Sequence, residues 1–397
     1  LTIIGLAWQE KDTIIIEQWM NECKENKTTG TNAENLETES SSLKNTSFQR
    51  AESVFQVMAL SGDNTARATS EYSKHQQPPL SFKEKGFLEE RLLLKELEKF
   101  LTAKKPLPTL VHYNGTTFDL PYLKTKYEQY KIKTSLSACY SLDLYRCAKK
   151  YRYFLQTDGL KQKNLEETFG LFREDSLTGQ ELIQTYLKGI EKQNDRLLKL
   201  YLRHNKEDME GMVLLQNLLK VDSFFQGNFQ IVSWEKKERL SCLMIQLNCG
   251  FTLNQALSTE RDGIHFHREG SSLYLKIPFV SMEARYFYPD YKNYYYLPLE
   301  DRAIHKSVAS FVEKEYREKA TKENCYVKKT GIFYPLPFPS TKKNKKECLE
   351  NCCEMPLFYE QYDGATAYLL ASELENEQNR TVYLKNLLQV FLESCKI

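Results

Sequence analysis

Val111-His112-Tyr113-Asn114-Gly115-Thr116-Thr117-Phe118-Asp119-Leu120-Pro121 decides how this chain is read. Thr109 to Tyr113 has the apolar character of a short strand. Asn114-Gly115 closes it with a pair that tolerates left-handed backbone, and a helix is predicted from about Thr117 to Gln129. Asp119 then falls in the first helical turn. An acid there complements the positive end of the helix dipole, a structural role that needs no chemistry.

A second stretch, His204-Asn205-Lys206-Glu207-Asp208, lies inside a long predicted helix from Asp195 to Val221. His204 and Asp208 are four apart, so they share one face, a turn from each other. An isolated pair of this kind is usually a surface hydrogen bond. The flanks argue otherwise. Leu197, Leu198, Leu200 and Tyr201 precede the pair, Met212 to Leu215 follow it, and a polar pair on a largely buried helix needs a partner or a function.

Between these stretches the pattern alternates. Lys83 to Leu101 reads as a helix with Phe87, Leu88, Leu92, Leu94, Leu97 and Leu101 as its buried stripe. A strand is expected around Leu142 to Leu144, and helices at Asn164 to Phe169 and Thr178 to Leu187. Upstream, Leu1 to Trp8 and Thr13 to Trp19 form a β-hairpin. From about 21 to 80 Asn, Thr, Ser, Glu and Lys dominate, and apolar periodicity is lost except around Val54 to Leu60, so this reads as a flexible polar insertion. Alternating strands and helices indicate an α/β domain over 1–224.

After Gly227 short strands prevail, at Phe229 to Trp234, Leu243 to Cys249, Gly263 to His267 and Leu273 to Phe279. Helices are expected at Asp301 to Lys319 and Val382 to Leu392, and a strand pair around Lys329 to Gly331. Residues 225–397 are therefore read as a smaller β-rich α+β domain. Its tyrosine run from Tyr286 to Tyr296, interleaved with Arg285 and Lys292, either packs a domain edge or stacks on single-stranded bases.

In the chain of 397 residues, 41% are hydrophobic and 27% charged, a globular composition with a net charge of only +2. No overall electrostatic commitment to nucleic acid or membrane follows. No stretch approaches the ~20 apolar residues of a membrane span. The ten cysteines form no regular framework, which points to free thiols and a cytoplasmic setting. Cys348, Cys352 and Cys353 lack the second pair or histidine of a zinc site. Phosphate-cradling glycine loops, Gly-x-Ser-x-Gly elbows and His-Glu-x-x-His helices are absent from the sequence, so ATPase, serine hydrolase and zinc protease readings have no support.

In this order and separation, Asn114-x3-Phe118-Asp119 resembles the second motif of DEDD 3′–5′ exonucleases, and His204-x3-Asp208 the third. More closely, Leu1 to Val221 resembles the YprB-like ribonuclease H-like domain of bacteria, through the Ile4-Gly5 hairpin, His112 to Pro121, Ser141-Leu142-Asp143-Leu144-Tyr145, Asn164-Leu165-Glu166 and His204-Asn205-x2-Asp208. The resemblance implies a mixed sheet flanked by helices and two-metal phosphodiester hydrolysis, with four carboxylates holding two Mg²⁺ or Mn²⁺ ions ~3.5–4 Å apart. Asp119 and Asp208 supply two of the four, and His204 positions or deprotonates the attacking water. The x3 spacing is that of the tyrosine branch of the family, whereas the residue here is histidine. Asn114 and Phe118 shape the corner and the nucleotide pocket, and Asp143 is either an extra acid or a cap. The implied partner is single-stranded DNA or RNA, with a protein partner such as a helicase or polymerase as a further expectation. The family's first motif, Asp-x-Glu on the opening strand, should precede Leu1 by ~10–20 residues. The chain is thus expected to start after that strand and to show an open sheet with an unpaired apolar edge. A non-catalytic nucleic-acid-binding protein with a degenerate fold is the alternative.

Overall fold

In the computed structural model, residues 3–10, 13–21, 55–60, 80–88, 90–174, 177, 179–192, 194–338, 355–364 and 366–396 are described. They divide into two units, Leu1–Lys220 and Val221–Ile397.

The first unit is an α/β assembly around a six-stranded sheet. Its strands are β1 (Ile3–Glu10), β2 (Thr13–Asn21), β3 (Phe55–Leu60), β4 (Leu80–Leu88), β5 (Thr109–His112) and β6 (Ser141–Asp143), in the order β4-β2-β1-β3-β5-β6. β1 and β2 are the expected hairpin, joined over Glu10↔Thr13. The sheet is open, with β4 and β6 outermost among the described strands, and β1 is paired on both sides. Phe55–Leu60, the one apolar run within the polar insertion, pairs parallel with β1 and antiparallel with β5. Unsatisfied N–H and C=O groups along a strand edge recruit whatever β-forming segment the chain offers. The rest of the insertion, 22–54 and 61–79, lies outside the described residues.

The helix expected from Lys83 is also corrected. Residues 83–88 belong to β4, parallel to β2, and α1 spans Glu90–Ala103. Its buried stripe is Leu93, Leu94, Leu97 and Leu101, while Leu92 faces outward. The stripe packs with Leu123 and Tyr127 of α2 (Asp119–Gln129), and the Tyr127 hydroxyl donates to the Leu94 carbonyl at 2.9 Å. Then follow α3 (Leu144–Leu155), α4 (Gln162–Thr168), α5 (Gly179–Glu191) and α6 (Asp195–Leu215), which packs on β1, β2 and β3. The single helix expected to Val221 breaks at Gln216, and α7 is Asn217–Phe225.

The second unit is β-rich. β7 (Gln230–Lys237), β8 (Cys242–Arg261) and β9 (Ile264–Pro278) form one antiparallel sheet. The four short strands expected here are thus three longer ones. β8 and β9 turn at Asp262-Gly263, both at positive φ, and bulges carry the pairing past residues 249–256. β10 (Val280–Phe287), β14 (Tyr326–Leu336), β15 (Phe358–Tyr359) and β16 (Ala367–Leu370) close a small barrel, and β11 (Tyr294–Leu297) pairs with β12 (Arg302–His305) and β13 (Glu318–Lys319). The helix expected over Asp301 to Lys319 is overturned, because Asp301 takes a left-handed φ of 48° and turns the chain back onto β11. Only Lys306–Ala309 is α-helical there (α8). Likewise Lys329 to Gly331 lies within the single strand β14, not between two strands. The last helix, α9, spans Glu377–Ser394 and is capped by Asn376.

Most of the tyrosine run packs inward on this unit. Tyr288 stacks on Tyr294 at 4.4 Å, both lie with Tyr291 against Ala303, Ala320 and Cys325, and Tyr286 joins the barrel core. The Cys348, Cys352 and Cys353 group and the lysines from Lys342 to Lys346 lie outside the described residues.

Candidate functional site

β5 and β6 run parallel with His112 opposite Asp143, so both residues sit at the carboxyl ends of their strands. That is the end of an α/β sheet where binding crevices form. The chain leaves β5 through Asn114 at φ 57°, which an asparagine accepts better than most residues. Gly115 follows because nothing larger fits: a Cβ there would lie 2.9 Å from His112 Cγ and 3.2 Å from Asp119 Oδ2. Asp143 holds the corner from below. Its Oδ1 accepts from the Asn114 N–H at 2.8 Å and the Tyr145 N–H at 3.1 Å, and its Oδ2 accepts from the Thr116 hydroxyl at 3.1 Å. Asp143 therefore has the cap-and-turn role. His112, fully buried, accepts from the Gly115 N–H at Nδ1, which assigns its proton to Nε2, 2.7 Å from Ser141 Oγ. Burial lowers its pKa, against the pull of Asp143, and keeps the ring neutral.

Asp119 sits half-buried just beyond this corner. Burial, with the charge of Asp143 beside it, pushes its carboxyl up to about 6, although its backbone hydrogen bond pulls the other way. Phe118, next to it, is 64% exposed, an aromatic face open to solvent at the strand ends.

Across the sheet, α6 presents His204 and Asp208 as the spacing predicts, with His204 Nε2 3.2 Å from Asp208 Oδ2. The other oxygen, Oδ1, is bound by Arg173 Nη1. Arg173 also donates to Glu166 of α4, from Nε at 2.5 Å and from Nη2 at 2.6 Å. Gln162 completes the lattice, donating at 2.9 Å to Glu166 Oε1 and at 2.8 Å to the Asp208 carbonyl. The charged side chains are shielded from water, with exposures of 5% for Arg173, 0% for Glu166 and 11% for Asp208. Burial alone would raise Asp208, but His204 and Arg173 outweigh it and hold the carboxyl below its ordinary value. Burial likewise works against the Arg173 charge, and Glu166 and Asp208 more than offset it.

The expected residues thus fall into two groups. Asn114, Phe118 and Asp119 meet at the β5–β6 corner, and His204 and Asp208 meet on α6. Among the described residues no three His, Cys, Asp or Glu side chains stand together as a metal-ligating group, so Asp208 is not gathered with Asp119 and Asp143 into one cluster. Carboxylates are the hard oxygen donors that Mg²⁺ and Mn²⁺ take, and Asp119 is such a donor with its charge disfavoured by burial. Asn205, one turn before Asp208, is 1% exposed, and neither its Oδ1 nor its Nδ2 has a hydrogen-bond partner. An orphaned buried amide beside a carboxylate marks a place for a further polar group. Asp119 and Asp208 each offer the oxygen-donor chemistry that a divalent cation takes, at two separate places. At Asp208 the Arg173 guanidinium already holds one of the two oxygens.

Sequence reasoning did not find Arg173 or Gln162. Glu166 carried a signal only as part of Asn164-Leu165-Glu166. Arg173 follows Gly170 in an irregular segment, where no periodicity marks which side chain turns inward.

No helix among the described residues is long and apolar enough to cross a membrane. No curated protein and no solved structure matches the chain. A family model described as the RNase H superfamily matches residues 64–220, the stretch that holds both groups of candidate residues together with Glu166 and Arg173. Over these residues, about two fifths of the chain, the likeness is to the RNase H superfamily.

Proposed function

We propose that this protein is a metal-dependent 3′–5′ exonuclease of the YprB-like kind that hydrolyses phosphodiester bonds in single-stranded DNA or RNA. The observation that carries the reading is the pairing of the exposed Phe118 ring with the Asp119 carboxyl at the carboxyl ends of β5 and β6, within the matched domain. An exposed aromatic face stacks on any base and so suits a strand end without sequence preference. Asp119 and Asp208 would hold Mg²⁺ or Mn²⁺, which when bound supplies charge stabilisation at the phosphate and lowers the pKa of water. Asn114 fixes the backbone corner that presents Phe118 and Asp119 on one side of the strand ends. His204, a turn from Asp208, would take the proton of the attacking water in the tautomer whose Nε2 is unprotonated, reached when Oδ2 of Asp208 no longer accepts from it.

The test is degradation of a 5′-labelled single strand by the full-length natural protein in Mn²⁺. Asp119→Ala and Asp208→Asn are each expected to lower the rate by at least ~10²-fold, with the circular dichroism spectrum retained. Shortening of the labelled strand one nucleotide at a time gives the polarity. Unchanged rates in both variants overturn the assignment, and an internal cutting pattern overturns the exonuclease reading.

A further inference from the structure

The Arg173 side chain sits where Asp208 needs a counter-charge, and its surroundings offer it a second place to be. On its outer side is a cavity of about 280 Å³ lined by Phe172, Glu174, Arg203, Glu207 and Glu210 among others. Arg203 already pairs with Glu174 and Glu207 there, and Lys206 lines the same cavity near Glu210, so the cavity is a set of exchanging ion pairs that a second guanidinium can join. Phe172 is 70% exposed, so the segment after Gly170 is not sealed by apolar packing at that point. On the inner side, Asp208 has the orphaned Asn205 amide one turn away on the same flank of α6.

We propose that Arg173 is a positioning residue that occupies Asp208 in the metal-free protein, and that Arg173 and a divalent cation are mutually exclusive on that carboxylate. In the described arrangement Arg173 bridges Glu166 and Asp208 and fixes both oxygens of Glu166. Removing a unit positive charge within a few ångströms of a carboxylate strengthens that site for another cation, the more so where water is excluded. A cation entering at Asp208 drives the guanidinium into this cavity, where Glu210 stands beside the Arg203 pairs with Glu174 and Glu207. Asp208, the Asn205 amide oxygen and Glu166 are then oxygen donors of the kind Mg²⁺ and Mn²⁺ accept. This inference rests on the nuclease reading for the presence of a cation, but not for its test.

The test is Mn²⁺ binding followed by electron paramagnetic resonance of free Mn²⁺, with no substrate present. Arg173→Gln is expected to bind Mn²⁺ at least about tenfold more tightly than the unaltered protein, and Arg173→Gln with Asp208→Asn is expected to lose that gain. Arg173→Lys keeps a charge and is expected to stay near the unaltered affinity. Equal affinity in Arg173→Gln and the unaltered protein overturns the proposal, as does a gain that survives Asp208→Asn. Because Arg173→Gln leaves two buried carboxylates facing each other, Glu166→Gln with Arg173→Gln is the fallback if the single variant does not fold. Having lost the charge of one donor, it is compared with Glu166→Gln alone, over which a tighter Mn²⁺ affinity is expected and an equal one overturns the proposal. In the unaltered protein, Mn²⁺ loading is expected to speed hydrogen exchange at residues 171–174, and unchanged protection in the loaded protein overturns the exclusion. If cleavage fails while Mn²⁺ affinity shifts as stated, the nuclease reading falls and this one stands. Cleavage with no affinity shift gives the converse.

Discussion

A Cβ on Gly211 would stand 1.7 Å from Glu166 Oε1. The α4–α6 contact depends on that missing atom, because Glu166 cannot withdraw: Arg173 holds both its oxygens and Gln162 holds one. Gly211→Ala gains helix propensity, worth ~1 kcal/mol, but must displace a buried ion pair, with overpacking costing typically 1–3 kcal/mol or more. The steric loss is expected to win. Urea unfolding should show a net destabilisation of about 1–2 kcal/mol, and a midpoint at or above that of the unaltered protein would mean that Glu166 rotates away at little cost.

Asp143 supports the other half of the site through three hydrogen bonds, two of them to backbone N–H groups. Asp143→Ala removes the cap of α3 and leaves the Asn114 N–H without its acceptor. Cap loss is worth ~1 kcal/mol and an orphaned donor ~1–3 kcal/mol. The expected loss is about 2–4 kcal/mol on unfolding, with Asp143→Asn intermediate because one oxygen remains. If Asp143 were instead only an extra acid, both variants would unfold together with the unaltered protein.

The corner around Asp119 was legible in the sequence because everything that makes it is local: a short apolar strand, Asn114-Gly115 for the turn, and an acid at the start of α2. The same holds for His204 and Asp208, four apart on one helix. The lattice behind Asp208 was not legible. Arg173 reaches it across 35 residues, and nothing in Leu171-Phe172-Arg173 sets that arginine apart from the chain's many exposed ones. Pairing between distant strands defeated the other readings. Residues 83–88 have helix-compatible residues but find β2, Phe55–Leu60 finds the gap beside β1, and Arg302–His305 folds back on Tyr294–Leu297. In each case the local signal was weak and a ladder formed elsewhere in the chain won.

Asp208 also sets a limit on acid stability. Its folded carboxyl lies below the ordinary value of 3.8 because His204 and Arg173 favour the charged form. A depressed acid contributes stability that is present above its unfolded pKa and is lost as pH falls through the folded one. Asp208→Asn removes that contribution and leaves Arg173 with one carboxylate. It is expected to cost about 3–5 kcal/mol at neutral pH, as for a broken buried pair, and the difference from the unaltered protein should shrink below pH 4. A difference that stays constant from pH 7 to pH 3 would show that the charge of Asp208 is not what stabilises.

Asp119 behaves in the opposite sense. Its folded value, about 6, lies above the ordinary 3.8, since burial and Asp143 both disfavour the anion. The folded state then holds the proton more tightly than the unfolded chain. Its contribution is full below about pH 4 and declines as pH rises through about 6, beyond which the folded protein carries a poorly solvated carboxylate. Asp119→Asn cannot ionise and escapes this penalty. In buffer with a chelator, the variant should match the unaltered protein at pH 4 and exceed it in urea midpoint at pH 7.5. The opposite is expected when Mn²⁺ is added at pH 7.5, because a cation bound by the anion stabilises only the protein that has it. A group that weakens the empty fold and strengthens the loaded one is a ligand-binding group, whereas a carboxylate that serves only the helix dipole would stabilise the fold above pH 6 in both buffers.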